Sequence, residues 1–164
     1  MSHQPAEDTS RQACGRLILI CGLPGSGKTT LALSLAGEPA SIRMSADAWM
    51  TALDINLWEA DVRSRVEALQ WSVAKDLLVA GMTVIIEWGT WARTERDQLR
   101  SEARALGAAV ELRFLDASDD ELWRRIHARD AEDPPVTRHD VAEWRTYLDR
   151  PTDAELALFD TPGS

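Results

Sequence analysis

A glycine-rich segment between two predicted structural elements constrains this chain more than any other feature. Gly22–Thr29 (GLPGSGKT) matches the pattern G-x-x-x-x-G-K-[ST] in full. The apolar run Arg16–Cys21 before it predicts a buried strand, and a helix is predicted over about Lys28–Ala36. Between strand and helix, such a loop forms a nest of N–H donors, and the helix N-terminus directs its positive end at an anion. The chain is therefore predicted to bind nucleotide phosphates.

Each part of this loop has an expected role. The Lys28 ammonium reaches the β and γ phosphate oxygens, and the Thr29 hydroxyl is a ligand for Mg²⁺. The alternative is a glycine-rich turn with an exposed lysine, which the strand–loop–helix context disfavours. The predicted nucleotide contacts are Gly22, Gly25, Ser26, Gly27, Lys28, Thr29 and Thr30.

The rest of the chain alternates between short apolar runs and helical periods, which predicts an α/β fold. Such alternation is typical of right-handed βαβ units and a parallel, doubly wound sheet. Residues 1–13 are predicted to be a disordered tail, and 14–164 a single domain. Further strands are predicted at Ala40–Ser45, Thr83–Glu87 and Val110–Leu115, and helices at Glu59–Ala80, Thr94–Leu106, 118–129 and Asp140–Asp149.

The acidic composition limits the partners. Of 164 residues, 18 are Lys or Arg and 27 are Asp or Glu, a net charge of −9, which disfavours binding to nucleic acid or to a membrane surface. The apolar runs are too short to cross a bilayer, and the first fifteen residues lack the apolar core of a signal peptide. A cytoplasmic location is expected. Cys14 and Cys21 have neither disulfide-framework nor metal-ligand spacing.

Acidic residues lie at or just after the ends of the three other predicted strands. Because ligands of such sheets bind at the carboxyl ends of the strands, Asp47 is the candidate base that takes the proton of an acceptor hydroxyl. The alternative for Asp47 is an N-cap of a helix over Ala48–Leu53. Glu87 ends the third strand and is a candidate for supporting Mg²⁺ beside the acceptor, or is simply solvated. Asp116 after the fourth strand is its rival.

Arginines cluster on the predicted helix over 118–129 and just beyond it. Arg125 and Arg129 are four residues apart and share one helix face. With Arg138 after the polar loop, they are candidates for a lid that closes over the phosphates and stabilises the transition state. The alternative is surface pairing with nearby acids, which contributes little. Those acids are Asp119, Asp120, Glu121 and Asp130.

The chain has seven tryptophans, and four of them follow the strand ends that carry Asp47 and Glu87. Aromatic side chains at that edge are candidates for the walls of a pocket that holds a planar or partly apolar acceptor. Simple packing is the alternative for these four, which are Trp49, Trp58, Trp88 and Trp91. The others have helical spacing and are predicted to be core, namely Trp71, Trp123 and Trp144.

The phosphate loop, Ser45-x-Asp47, Glu87 and the arginines after Ser118 occur in one order. In that order they resemble small P-loop kinases, AAA-like ATP-binding proteins of the zeta-toxin, chloramphenicol-phosphotransferase and polynucleotide-kinase group. The resemblance implies a three-layer αβα fold with an adenylate-kinase-like sheet, a short lid and ATP as phosphate donor. It places Asp47 at the acceptor-activating position. The chain departs from polynucleotide kinases at Met50, where they carry an arginine.

Three functions remain after these observations. The first is an ATP-dependent kinase that phosphorylates a hydroxyl of a small molecule such as an antibiotic, nucleoside or sugar. The second is a nucleotide-binding switch or hydrolase, although the chain has no N-K-x-D guanine-reading motif. The third is a polynucleotide end-kinase, which the charge and Met50 disfavour. The identity of the acceptor and the oligomeric state stay open.

Overall fold

A parallel sheet forms the centre of the molecule, described over residues 15–162 by a computed structural model. The tail predicted at 1–13 lies outside the described residues. The strands are β1 (Arg16–Cys21), β2 (Ser41–Met44), β3 (Thr83–Gly89) and β4 (Ala109–Phe114). The helices are α1 (Lys28–Ala36), α2 (Ala46–Ala52), α3 (Ala60–Val79), α4 (Arg93–Ala105), α5 (Asp119–Arg129), α6 (Arg138–Tyr147) and α7 (Asp153–Leu156).

Helices cover both faces of this sheet. Successive side chains of a strand point to opposite faces, so Leu17 and Leu19 of β1 pack with α3 and α4, while Ile18 and Ile20 pack with α1. Each face is apolar, which explains why the run Arg16–Cys21 is apolar throughout rather than alternating. The predicted three-layer αβα fold with a parallel sheet is confirmed.

The strand order β2-β3-β1-β4 determines what surrounds the phosphate loop. β1 lies between β3 and β4, and β2 pairs with the far side of β3. All neighbouring strands are parallel, so the loop after β1, the end of β3 and the start of α2 share one edge. The helices α5 and α6 form a separate apolar cluster with Leu23 of the phosphate loop.

The start of α2 corrects one sequence-based alternative. The helix begins at Ala46, and the N-cap is Ser45, whose hydroxyl accepts a hydrogen bond of 3.3 Å from the Ala48 amide. Asp47 lies inside the first turn and is not the cap. Most other predicted boundaries differ from the observed ones by one or two residues, since helix ends depend on capping contacts. None of the helices in residues 15–162 is long and apolar enough to cross a membrane.

Candidate active site

A cleft of about 1100 Å³ opens at the edge of the sheet where the strands end. The phosphate loop and one face of α5 form one side of it. The starts of α2, α3 and α4, together with the end of β3, form the other. The residues predicted for the phosphate site and those predicted for the acceptor site therefore line one cleft. This is the position expected for a ligand site at the carboxyl edge of a doubly wound sheet.

The phosphate loop presents its side chains to this cleft. Gly25, Gly27, Lys28, Thr29 and Thr30 line it, while Gly22 and Ser26 are buried behind them. Gly25 has a φ of 81°, and a Cβ atom there would lie 2.8 Å from a backbone oxygen of α5, so the close approach of α5 requires glycine.

Two buried polar groups of the loop are suited to an anion. The Ser26 hydroxyl has no hydrogen-bond partner among the described residues. The Lys28 ammonium donates only to the Leu23 carbonyl oxygen, at 3.0 Å. Burial lowers the pKa of Lys28 to about 8, although the carboxylates of Asp47 and Glu87 oppose this shift. Bound phosphate would restore the solvation that the ammonium lacks.

Glu87 is held by residues of two neighbouring elements. Its Oε1 accepts a hydrogen bond of 3.3 Å from the Thr29 hydroxyl. The Arg43 guanidinium of β2 donates to both carboxylate oxygens, at 3.0 and 3.2 Å. Glu87 is almost fully buried, so this bidentate pair compensates for the loss of water around its charge. Thr29 and Glu87, the two predicted Mg²⁺ ligands, are therefore in hydrogen-bond contact at the end of the phosphate loop.

Asp47 lines the cleft from the first turn of α2 and is paired with a residue of α3. The Arg63 Nη1 donates a hydrogen bond of 2.5 Å to the Asp47 Oδ1. The Arg63 Nη2 also donates to the Leu57 carbonyl oxygen, at 3.1 Å. The Asp47 side chain remains 62 % exposed. One carboxylate oxygen is therefore held by Arg63, and the group stays accessible to a molecule in the cleft.

The arginines of the predicted lid divide into two sets. Arg125 and Arg129 line the cleft, as does Arg124, and Arg125 donates to the Gly25 carbonyl oxygen at 3.2 Å. The role of Arg138 at the nucleotide stays a prediction. Its guanidinium pairs with Asp120 and lies 4.3 Å from the ring centroid of Trp123, away from the lining of the cleft.

Asp116, the rival of Glu87, is also outside the cleft. It forms ion pairs with Arg145, at 2.7 Å, and with Arg150. Burial tends to raise the pKa of this carboxyl, but the hydrogen bonds from Arg145 and Arg150 prevail and lower it. Asp116 therefore links β4 to the region of α6, and Glu87 is the acid that faces the phosphate loop.

Three of the four predicted pocket tryptophans line the cleft. Trp88 donates to the Gln70 side-chain oxygen at 2.6 Å, Trp91 to the Gly22 carbonyl oxygen at 3.2 Å, and Trp58 to a carbonyl of the α5–α6 loop at 3.0 Å. Each ring is thus anchored by its N–H, which leaves its apolar surface for contact.

The positions of Trp49 and Trp144 do not follow the predicted division into pocket and core residues. Trp49, predicted for the pocket, packs against the main core from α2 and is not among the residues that line the cleft. Trp144, predicted to be core, packs against the apolar cluster of Leu23, α5 and α6. It lines the cleft from α6, and its ring centroid is 6.0 Å from that of Trp58 and 6.3 Å from that of Trp91.

A strained turn after β3 carries Thr90 into the cleft wall. Thr90 has a φ of 42°, which is rare for a β-branched residue. The buried Arg96 guanidinium donates to the carbonyl oxygens of Thr90 and Trp91, at 2.8 and 2.9 Å, and pairs with buried Glu155 at 2.6 Å. This ion pair keeps the turn in its strained conformation.

Several of these residues were not found from the sequence. Arg63 and Glu67 face the cleft with Ala60, at intervals of three and four residues along α3, and Glu95 faces it from α4. The helical spacing 60, 63 and 67 is a signal that could have identified this polar face. Nothing local distinguishes Arg43 or Thr90, because their roles depend on contacts between separate elements.

Comparison with known proteins assigns the chain to a family. A model of the AAA domain matches residues 17–151, so the chain belongs to this family of P-loop proteins, and its site is a nucleotide site of the P-loop kinase type. No match was found among proteins of curated function.

Solved structures share the fold. A gluconokinase from Sinorhizobium meliloti 1021 is similar with a TM-score of 0.56 and 22 % identity, over 87 % of this chain and 79 % of that one. A chain of the Pnkp1/Rnl/Hen1 RNA repair complex gives 0.72 and 19 %, over 95 % of this chain but 49 % of its own length. Kti12 of Chaetomium thermophilum, in complex with ADP-AlF3, gives 0.62 and 21 %, over 84 % and 82 %.

Proposed function

We propose that this protein is an ATP-dependent phosphotransferase that moves the γ-phosphate of ATP to a hydroxyl of a small molecule. One observation carries the proposal. Asp47, held by Arg63, lines the same cleft as Lys28 and Thr29, so an acceptor and a triphosphate fit side by side in it. A protein that only binds nucleotide does not need a supported carboxylate and an aromatic wall beyond the phosphates.

The residues of the cleft have different roles in the in-line displacement. The acceptor oxygen attacks the γ-phosphorus, the bond from that phosphorus to the bridging oxygen of ADP breaks, and the hydroxyl proton passes to Asp47. Lys28, Arg125 and Arg129 are the cations for the developing charge on the phosphoryl oxygens. Arg63 positions Asp47 and does not itself contact the reacting atoms.

The residues present fit a magnesium ion. The Thr29 hydroxyl and the Glu87 carboxylate are hard oxygen donors at the foot of the phosphate loop, and Mg²⁺ sites of nucleotide enzymes combine one or two carboxylates with substrate phosphates. When bound, the ion supplies charge neutralisation between the β and γ phosphates. Arg43 fixes the Glu87 carboxylate for this purpose.

The charge of the acceptor side favours a small molecule over a nucleic-acid end. Asp47, Glu67 and Glu95 line that side, whereas its cation Arg63 is already paired. A polyanionic strand would meet net negative charge there. A hydrolase that uses water as acceptor is the second candidate, because the cleft is open enough to admit water.

The test is transfer of label from γ-labelled ATP to a panel of hydroxyl compounds that includes sugars, nucleosides, aromatic alcohols and a 5′-hydroxyl oligonucleotide. A labelled small-molecule product that requires Asp47 supports the proposal. Release of phosphate alone identifies a hydrolase, and a labelled oligonucleotide identifies an end-kinase. Either of these results contradicts the proposed function.

A further inference from the structure

Two carboxylates of the cleft wall have no cation of their own. Glu67 of α3 and Glu95 of α4 are both half-buried and both line the cleft. Within residues 15–162 no hydrogen bond or ion pair engages either carboxylate. Half-buried acids without a partner are costly, so their presence in a binding cleft calls for a positive charge brought by a ligand.

The nearby cations are occupied elsewhere. Arg63 is on the same face of α3 as Glu67, but it is bound to Asp47 and to the Leu57 carbonyl. Arg96 follows Glu95 in α4, but its guanidinium is buried and pairs with Glu155. Burial raises the pKa of Glu67 to about 7, the charge of Glu95 adds to this, and Arg63 opposes it.

Aromatic rings line the same cleft as these two carboxylates. Trp88 lies near the end of β3 and Trp91 on the segment between β3 and α4, and Trp144 and Tyr147 line the cleft from α6. Carboxylates together with ring faces are the groups that bind an organic ammonium, since the ring quadrupole attracts the cation while the apolar surface packs on its carbon groups.

A third, independent feature points to a ligand here. Thr90 lines the cleft, is 2 % exposed, and its hydroxyl has no hydrogen-bond partner among the described residues. A buried hydroxyl without a hydrogen-bond partner destabilises the fold. A hydroxyl or amine of a bound molecule would satisfy it.

We propose that the acceptor carries a protonated amine next to an apolar or aromatic group, and that Glu67 and Glu95 bind this ammonium within the tryptophan-lined part of the cleft. The inference rests on the proposed function, since it names the class of acceptor. Thr90 then contacts a polar atom of the acceptor, while Asp47 faces its reacting hydroxyl.

The experiment separates amine recognition from catalysis. The probes are 2-amino-1-phenylethanol, tryptophanol and glucosamine, each compared with its N-acetyl derivative, which lacks the charge. Binding is measured by calorimetry in the presence of ADP and magnesium, and transfer is measured separately with labelled ATP. The variants are Glu67→Gln and Glu95→Gln, and the control is Glu38→Gln, at an exposed acid after α1.

We expect at least one amine to bind about tenfold or more tightly than its N-acetyl form. Each cleft variant should lower the affinity for that amine by about tenfold and leave the N-acetyl form unchanged, and Glu38→Gln should alter neither. Equal binding of amine and N-acetyl forms, or no binding of any amine, overturns the inference.

The two proposals fail in different ways. If neutral hydroxyl compounds are phosphorylated as well as the amines, the kinase proposal stands and the amine inference is wrong. If an amine binds through Glu67 and Glu95 but no compound accepts phosphate, the amine site stands and the kinase proposal is wrong. Thermal unfolding of each variant checks that the fold is retained.

Discussion

The Asp47 carboxylate and the Arg63 guanidinium meet at 2.5 Å across the loop that joins α2 to α3. Sixteen residues separate the two in the chain, and Arg63 also donates to Leu57 within that loop. The contact therefore fixes the carboxylate, the loop and the start of α3 as one unit. Because the strands end at one edge of the sheet, this unit lines the same cleft as Lys28 and Thr29 of the phosphate loop.

Asp47→Asn should separate binding from chemistry. Asparagine keeps the shape of the side chain and an oxygen for Arg63, but it cannot take the acceptor proton. Transfer should fall by about 10²–10⁴-fold, with ATP affinity little changed. Single-turnover transfer and calorimetry with ATP measure the two effects. Activity near the wild-type level would show that another group is the base.

Lys28→Ala should abolish nucleotide binding without unfolding the protein. The ammonium makes one hydrogen bond in the structure, so its removal costs the fold little. Loss of a charge-assisted phosphate contact should weaken ATP binding by at least about 1.5–3 kcal/mol. Calorimetry measures the affinity, and the control is Lys75→Ala in α3, where the lysine pairs with Glu102 of α4 and does not line the cleft. Wild-type affinity in Lys28→Ala would remove the phosphate-loop assignment.

Trp88→Ala should raise the KM for the acceptor by the equivalent of about 1–3 kcal/mol, because a wall of the acceptor site is lost. ATP affinity should stay the same, since Trp88 does not contact the phosphate loop through its N–H. Trp49→Ala is the matched control, since that ring packs on the core. It should lower the stability but leave the KM unchanged. A higher KM in the control alone would reverse the assignment of the two rings.

Glu67→Gln should stabilise the protein, and the gain should depend on pH. Burial raises the folded-state pKa of Glu67 from 4.5 to about 7, so the folded state binds this proton more tightly than the unfolded state. The wild type therefore loses stability as pH rises from about 4.5 to 7. The variant should exceed it by about 1–3 kcal/mol at pH 8 and match it near pH 4. Urea unfolding across this range measures the difference, and a constant difference contradicts the shift.

Glu155→Ala should destabilise the fold by about 3–5 kcal/mol, because it leaves the buried Arg96 charge without its partner. The exposed pair of Arg93 with Asp97 in the same helix is the comparison, and Asp97→Ala should cost less than about 1 kcal/mol. Denaturant unfolding measures both. Similar losses in the two variants would show that the Arg96–Glu155 pair does not support the turn at Thr90.

Local sequence patterns determined the elements of this protein. The loop Gly22–Thr29 requires a strand before it and a helix after it, and those elements are found at the predicted residues. Period-two and period-3.6 spacing located the other strands and helices to within a few residues, because both periods reflect contacts with near neighbours. The same spacing predicted that Asp47 and Glu87 lie near the ends of strands.

The partners of those residues were decided only by the tertiary structure. Arg43 reaches Glu87 because β2 pairs with β3, and Arg63 reaches Asp47 because α3 turns that face to the cleft. Trp144 lines the cleft as well as packing on an apolar cluster, Trp49 packs against the main core, and the Arg138 guanidinium lies over the Trp123 ring. Such outcomes depend on strand order and on how each helix is rotated against the sheet, which many distant contacts set together. Local spacing can indicate which residues share a helix face, as for Arg63 and Glu67, but not which element that face meets.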